Sequence, residues 1–300
     1  MRKRKTYIVV AVLLVAIAGV MGLAIGCGSS SSSSGTSSSP SASSGALTGT
    51  AAERAQTILG HAPTGLALDI VTKGSVIVAN DSDYAPQSSV DPVTKEIVGF
   101  DVDVAKGMAE ILGLGIKWKH PIWETIPAGL QVGLYDVSIG SMAITPERQQ
   151  TIGFSDPYYY ASSQVFVKTG GTQITGVADL AGKKVGVNSG TTYYDYLKKN
   201  SKAIVKGYST ETASLQDLLN GNLDFALTAG TTGQEAVVAG KPIEASGKPL
   251  YYEDDAMAVK KGETDWVNLL TYAVQQMHKN GALTEMSKQW YNGLDLSVKE

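Results

Sequence analysis

Arg148 is the side chain in this 300-residue chain with the most to offer chemically. It follows Pro146-Glu147 at what reads as the start of a helix, between a small-residue turn, Gly140-Ser141-Met142-Ala143, and the run Tyr158-Tyr159-Tyr160, which is able to wall a ligand pocket. Taken alone it is an ordinary solvated helix arginine. Downstream, Ser189-Gly190-Thr191-Thr192 lies between a strand-like and a helix-like segment. Thr191 and Thr192 suit the N-cap, and the same helix N-terminus offers free N–H groups and the positive end of a dipole to an anion. Tyr84, in the polar stretch DSDYAPQ, and Trp123, between Pro121 and Glu124, are large aromatics whose usual fate is core packing. Both fall in loop-like sequence, which tilts them toward a site. Asp81, just after a strand, also fits an ordinary turn. His61, His120 and His278 lie far apart without cysteine partners, so neither a metal site nor a cofactor is expected.

The elements that must position these residues alternate strand and helix. Ser75 to Asn80 is an apolar strand followed by a polar turn. Gly99 to Gly113 places Val102, Ala105, Ala109 and Leu112 near helical spacing and stops at a glycine. IKWKHPIW reads as a strand, IPAGLQVG as a short helix, and DVSIGSM as a strand running into the turn before Arg148. A second set follows, with strand KKVGVNS, helices TTYYDYLKKN and ASLQDLLNG, and strand LDFALTA. This alternation implies parallel sheets with ligands held at the carboxyl ends of strands. A short helix is also expected from Ala51 to Leu59, with no evident role.

The chain opens MRKRK and continues with an apolar run from Ile8 to Ile25 that ends at Ala24-Ile25-Gly26-Cys27. A basic start, an apolar stretch and small residues before the break read as an export signal. The single cysteine then stands where bacterial lipoproteins carry the acylated thiol, so Cys27 is expected to be lipidated after removal of residues 1–26. An uncleaved anchor is the other reading, since about 18 apolar residues can cross a bilayer. Either one places the remainder outside the cytoplasm. One cysteine excludes an internal disulfide. Removing residues 1–26 takes away Arg2, Lys3, Arg4 and Lys5 and no acid, leaving 21 basic against 28 acidic side chains, a net of −7. Such a surface does not suit nucleic acid or anionic lipid. Gly28 to Gly45 is almost wholly serine and glycine, a flexible tether spanning roughly 25 Å.

In this order, VIVAND, GFDVDVAKGMAEILG, GSMAITPERQQTIGFSDPYYY and KKVGVNSGTTYYDYL resemble the family-3 extracellular solute-binding proteins, which deliver amino acids to ABC transporters. The resemblance runs from about Leu68 to Tyr291. It implies an α/β, two-lobed periplasmic binding protein type II fold, each lobe a mostly parallel sheet flanked by helices. After residues 1–26, 27–50 (tether) and 51–67 (extension), lobe 1 would comprise 68–165 and 255–300, and lobe 2 166–254. The chain would cross between them at 164–168 and 255–260. The resemblance makes Arg148 a bidentate clamp on the ligand's α-carboxylate, a geometry lysine does not reproduce. Donors at Thr191 and Thr192 would take the same carboxylate. Tyr84 and Trp123 would sandwich the ligand's side chain, Asp81 would accept a distal amine, and the backbone of Ser141, Met142 and Ala143 would meet the ligand.

The main departure is Ala229, which stands where the family commonly has an aspartate that neutralises the ligand's α-ammonium. Gly230, Thr231 and Thr232 follow, so a one-residue slip does not restore it. Either another acid such as Asp81 or Asp83 takes over, or the ligand is not an ordinary α-amino acid. The function expected is a monomeric, lipid-tethered binding protein, not an enzyme, that presents a small carboxylate to a permease. A cyclohexadienyl dehydratase-like enzyme, with Glu124 or Glu235 as the acid, and a sensory module for a separate receptor are the alternatives.

Overall fold

The structure, a computed structural model, describes residues 47–299. The export signal, Cys27 and the serine-glycine tether lie outside the described residues. The helix expected at the start forms as α1 (Ala51–Leu59), capped by Thr50 and Glu53 in a reciprocal capping box. Its role is also visible. Ala51 and Ala55 are buried in the first core, and Arg54 Nη1 donates to the carbonyls of Glu110 and Ile111 at 2.8 and 3.1 Å. Those carbonyls lie in the last turn of α3 (Phe100–Leu112) and find no donor within the helix itself.

α2 (Gly65–Lys73) leads into β1 (Ser75–Ala79). A small three-stranded sheet follows, formed by β2 (Asp83–Tyr84), β3 (Ser88–Val90) and β4 (Ile97–Val98), ahead of α3. Next come β5 (Gly115–Lys119), α4 (Ile126–Gln131), β6 (Val137–Ala143) and α5 (Pro146–Gln149). The second half holds β8 (Lys184–Asn188), α6 (Thr192–Asn200), β9 (Ile204–Tyr208), α7 (Glu211–Asn220), β10 (Phe225–Ala229) and α8 (Gly230–Val238). Two long strands, β7 (Ile152–Lys168) and β11 (Ile243–Lys260), run through both halves, and α9 (Thr264–Lys279) and α10 (Ala282–Trp290) close the chain.

The main sheet has the order β5-β1-β6-β11-β7-β10-β8-β9. Its outer thirds, β5-β1-β6 and β10-β8-β9, are parallel, as the βαβ alternation predicts, and the central β11-β7 pair is antiparallel to its neighbours. The two lobes of the type II fold are thus joined by one continuous ladder. β11 pairs with β6 from Asp255 to Ala258, whereas β7 pairs with β10 from Ser163 to Phe166. On β7 the passage between halves therefore lies upstream of Ser163, a few residues earlier than the expected 164–168. On β11 it ends at Asp255.

Each half has its own core. In the first, Phe100, Tyr158, Tyr159 and Trp266 are fully buried, with α9 packed on α3. In the second, Val165, Val185, Leu197 and Leu227 form the corresponding cluster. Burying such side chains contributes roughly 1.5–3 kcal/mol each, so each half is held by a core of its own.

Candidate functional site

The seam encloses a cavity of about 370 Å³, counted with its mouth. From the first half it is lined by Asp81 and Tyr84 after β1, Trp123 ahead of α4, Ser141 and Ala143 at the end of β6, and Arg148 in α5. From the second half come Asn188 at the end of β8, Thr191, Thr192 and Tyr193 at the start of α6, and Glu211 at the start of α7, with Glu253 on β11. Strand ends and helix starts build it, as open α/β sheets require. The structure brings eight of the ten expected residues together here. Met142 is buried against Trp123 and Ile126, because consecutive strand residues face opposite ways. Ala229 is fully buried in the second core and does not line the cavity either.

Arg148 is held from several sides. Thr145 caps its helix by accepting the Arg148 N–H at 3.1 Å. Nη1 donates to the Ala143 carbonyl at 3.0 Å, and Nη2 reaches across the seam to the Gly190 carbonyl at 3.3 Å. Its guanidinium carbon lies 5.7 Å from the centroid of Trp123, whose Nε1–H donates to the same Gly190 carbonyl at 3.2 Å. Trp123 therefore presents its ring to the arginine, an arrangement that fixes the fork by cation–π attraction. Burial pushes the guanidinium pKa down, Glu253 and Asp255 oppose this, and the group stays charged.

The hydroxyls opposite are already engaged. Thr191 Oγ1 accepts the Tyr194 N–H at 3.2 Å and donates to the Asn188 carbonyl at 2.7 Å, while Thr192 donates to Glu253. What remains for an anion on this side is the backbone of the first turn of α6, whose N–H groups lack intrahelical acceptors.

Ser141 sits at φ 57° with its N–H on the Tyr158 hydroxyl at 2.8 Å. Its own hydroxyl donates to Asp101 at 2.8 Å, and Tyr158 donates to the same carboxyl at 2.6 Å. This buried triangle holds a left-handed residue at the strand end, where such conformations persist only when the surroundings over-determine them. Burial pushes the Asp101 pKa up to about 7, against the pull of both hydrogen bonds. A carboxyl whose folded pKa is raised lends its stability fully below the unfolded pKa of 3.8 and loses it as pH rises toward 7. Asp101→Asn should therefore flatten the fall in unfolding free energy between about pH 4 and pH 7, by an amount on the order of 4 kcal/mol. Urea unfolding at a series of pH values measures the slope, and an unchanged slope contradicts the assignment.

Beyond Asp81, the acids of the site, Glu211 and Glu253, are the part that sequence reasoning missed. Glu211, 2% exposed, sets both carboxylate oxygens 3.1 Å from the Ala229 N–H. The region around position 229 thus has a carboxylate after all, supplied from 18 residues upstream. Burial pushes its pKa up to about 8, with the bond from the Ala229 N–H pulling the other way. Glu253 and Asp255 are likewise raised by burial. Asp81 lines the cavity and accepts the Asp83 N–H at 3.0 Å, but Asp83 does not line it. Glu124 is absent from the lining, packing instead beside Gly190, and Glu235 lines a different cavity with Gln164 and Phe166. Glu211 alone in its sequence reads as an acid favoured in the first turn of a helix, and only the fold carries it to β10. Asn188 and Tyr193 flank the Ser189–Thr192 turn and were the more accessible omissions.

The sequence model of the bacterial extracellular solute-binding proteins, family 3, matches residues 76–293. The L-cystine-binding protein TcyJ of Escherichia coli is 29% identical over 244 residues, covering 80% of this chain and 91% of that one. The solved structure of an ancestral arginine-binding protein bound to arginine is similar at 30% identity and a TM-score of 0.69, with 73% of this chain and 98% of that one covered. The ancestral amino acid-binding protein AncCDT-1, a precursor of cyclohexadienyl dehydratase, is 28% identical with a TM-score of 0.70, over 74% and 98% of the two chains.

Proposed function

Because the chain belongs to the bacterial extracellular solute-binding proteins, family 3, we propose that it captures an amino acid between its two halves and delivers it to the permease of an ABC transporter. The observation that carries this reading is Arg148. Among the described residues lining the cavity it is the one basic side chain, and it stands where both halves meet. A planar fork held at Ala143 and Gly190 is suited to a carboxylate. On the far side the first turn of α6 adds donors and a dipole to the same anion.

Closure follows from the contacts at the seam. Trp123 and Arg148 both reach Gly190, and the Gln87 side-chain amide donates to Thr231 Oγ1. These bonds exist only with the halves together. A ligand that touches both halves adds to them and shifts the population toward the closed form, which a permease then recognises. Similar proteins named for binding cystine and arginine support an amino acid as the ligand. The test is to unfold the protein purified from its host and identify what it releases by mass spectrometry. One amino acid per chain is expected. A stripped and refolded protein that binds no amino acid overturns the reading.

The protein acts as a monomer held at the membrane by a lipid on Cys27, with the serine-glycine stretch as its tether. Several acyl chains anchor stably where one does not. Cys27→Ser should therefore move the protein from the membrane to the soluble fraction of the host. Unchanged retention points to the uncleaved anchor.

A dehydratase on this fold is the second reading, favoured by one observation. Glu211 is a buried carboxyl held near neutrality inside the cavity, the kind of group a general acid needs. Turnover of prephenate or arogenate, assayed directly, decides for it, and its absence decides against it.

A further inference from the structure

Position 229 carries an alanine that does not line the cavity, yet a carboxylate that does line it rests on the backbone N–H of that same residue. We propose that Glu211 is the receptor for the α-ammonium of the bound amino acid. This rests on the reading of the cleft as an amino-acid site. Glu211 lines the same cavity as Arg148, so a ligand gripped at its carboxylate by the arginine presents its amino group to the acids of that cavity. Both oxygens of Glu211 share the single Ala229 donor, which leaves lone pairs on each for further donors. Thr192 already donates to Glu253, whose charge also acts on Arg148. Asp81 lies on the turn after β1, in the other half.

The charged groups that act on Glu211 are both acids. Glu253 on β11 and Asp81 after β1 raise its pKa by charge, and Tyr84 on β2 and Tyr193 on α6 feel its charge in turn. Among the described residues lining the cavity, Arg148 alone is cationic. The complement missing from this setting is a positive group, because an opposite charge within a few ångströms favours the ionised carboxyl. With its pKa near 8 in the empty cleft, Glu211 holds a proton at pH 7. Taking an ammonium then expels that proton, so affinity should rise from pH 6 toward pH 8 and then level off.

The experiment is calorimetry on the stripped, refolded protein. The probes are whichever of the common L-amino acids, L-ornithine or L-cystine binds most tightly, and the acid with the same side chain lacking the α-amino group. Wild type should prefer the amino acid by roughly 30-fold or more, and at pH 7 the heat in buffers of different ionisation enthalpy should report proton release. Glu211→Gln keeps an acceptor for Ala229. It should weaken the amino acid alone, bring the two probes within about 3-fold of each other, and abolish the proton release. Glu211→Asp, with the charge on a shorter arm, should retain more of the preference than the glutamine variant. The proposal is overturned if Glu211→Gln weakens both probes equally, as a purely structural cap would, or if it leaves the wild-type preference intact. A wild-type protein that binds no amino acid at all overturns the cleft reading and this proposal with it.

Discussion

Arg148→Ala should weaken binding of the native ligand by about 2–5 kcal/mol, roughly 30-fold to several-thousand-fold in Kd. Truncating one member of a buried charged pair leaves the other uncompensated, and the ligand's carboxylate would then face Glu211 and Glu253 with no cation lining the cavity. The variant also loses the bond from Nη2 to Gly190 and the partner of the Trp123 ring, so closure itself is weakened. Arg148→Lys should recover little. A compact ammonium lacks the planar fork that meets Ala143, Gly190 and a carboxylate at once. Titration calorimetry reads the effect, and a variant within about twofold of wild type refutes the site assignment.

Gly99→Ala should cost about 3 kcal/mol or more of folding stability. At φ 141° and ψ 174° this residue occupies a region that side chains rarely enter, and a Cβ there would lie 2.2 Å from the Gln87 carbonyl oxygen and 2.5 Å from its carbon. Neither wall yields easily. Phe100 N–H donates to the Pro86 carbonyl at 3.1 Å and Asp101 N–H to that of Gln87 at 2.9 Å, so the loop serves as the acceptor for the first donors of α3. Pushing it away exposes those donors and moves Gln87, whose amide bridges to Thr231 across the seam. The damage should therefore extend from Asp101 and its triangle to the closed cleft. Chemical denaturation measures it, and a loss below about 1 kcal/mol contradicts this account of Gly99.

Which parts of this were legible in the sequence follows from how local their signals are. α3 is written in the spacing of Val102, Ala105, Ala109 and Leu112 and the stop at Gly113, all within one segment. The turn before Arg148 and the cap at Thr191 are equally local. β7 is not. IGFSDPYYYASSQVFVK contains a proline and a mixed pattern, because the strand changes partners along its length. Pro157 sits at a register shift opposite Ala256, and the stretch that β10 pairs with begins only at Ser163. A proline is tolerated at such an irregularity and would not be inside a fully paired strand. The same non-locality hid the acid at position 229. The chain lacks a carboxylate there, and Asp81 and Asp83 were the natural substitutes because each follows a strand of the first half. Glu211 belongs to the opposite half and reaches Ala229 through the packing of α7 beside β10. Trp123 differs for another reason. Its loop position pointed to the site, but whether an aromatic faces a ligand or an arginine is decided by tertiary contacts that spacing does not encode.

The central claim is a carboxylate held by Arg148 in a cleft that closes around it. Its most direct test is a calorimetric comparison of the tightest-binding amino acid with the amine formed by removing its carboxyl group, on stripped and refolded wild-type protein. The account predicts that the amino acid binds at least roughly 30-fold more tightly than the amine, and that Arg148→Ala nearly abolishes the difference. Equal affinity of wild type for the two compounds would contradict it.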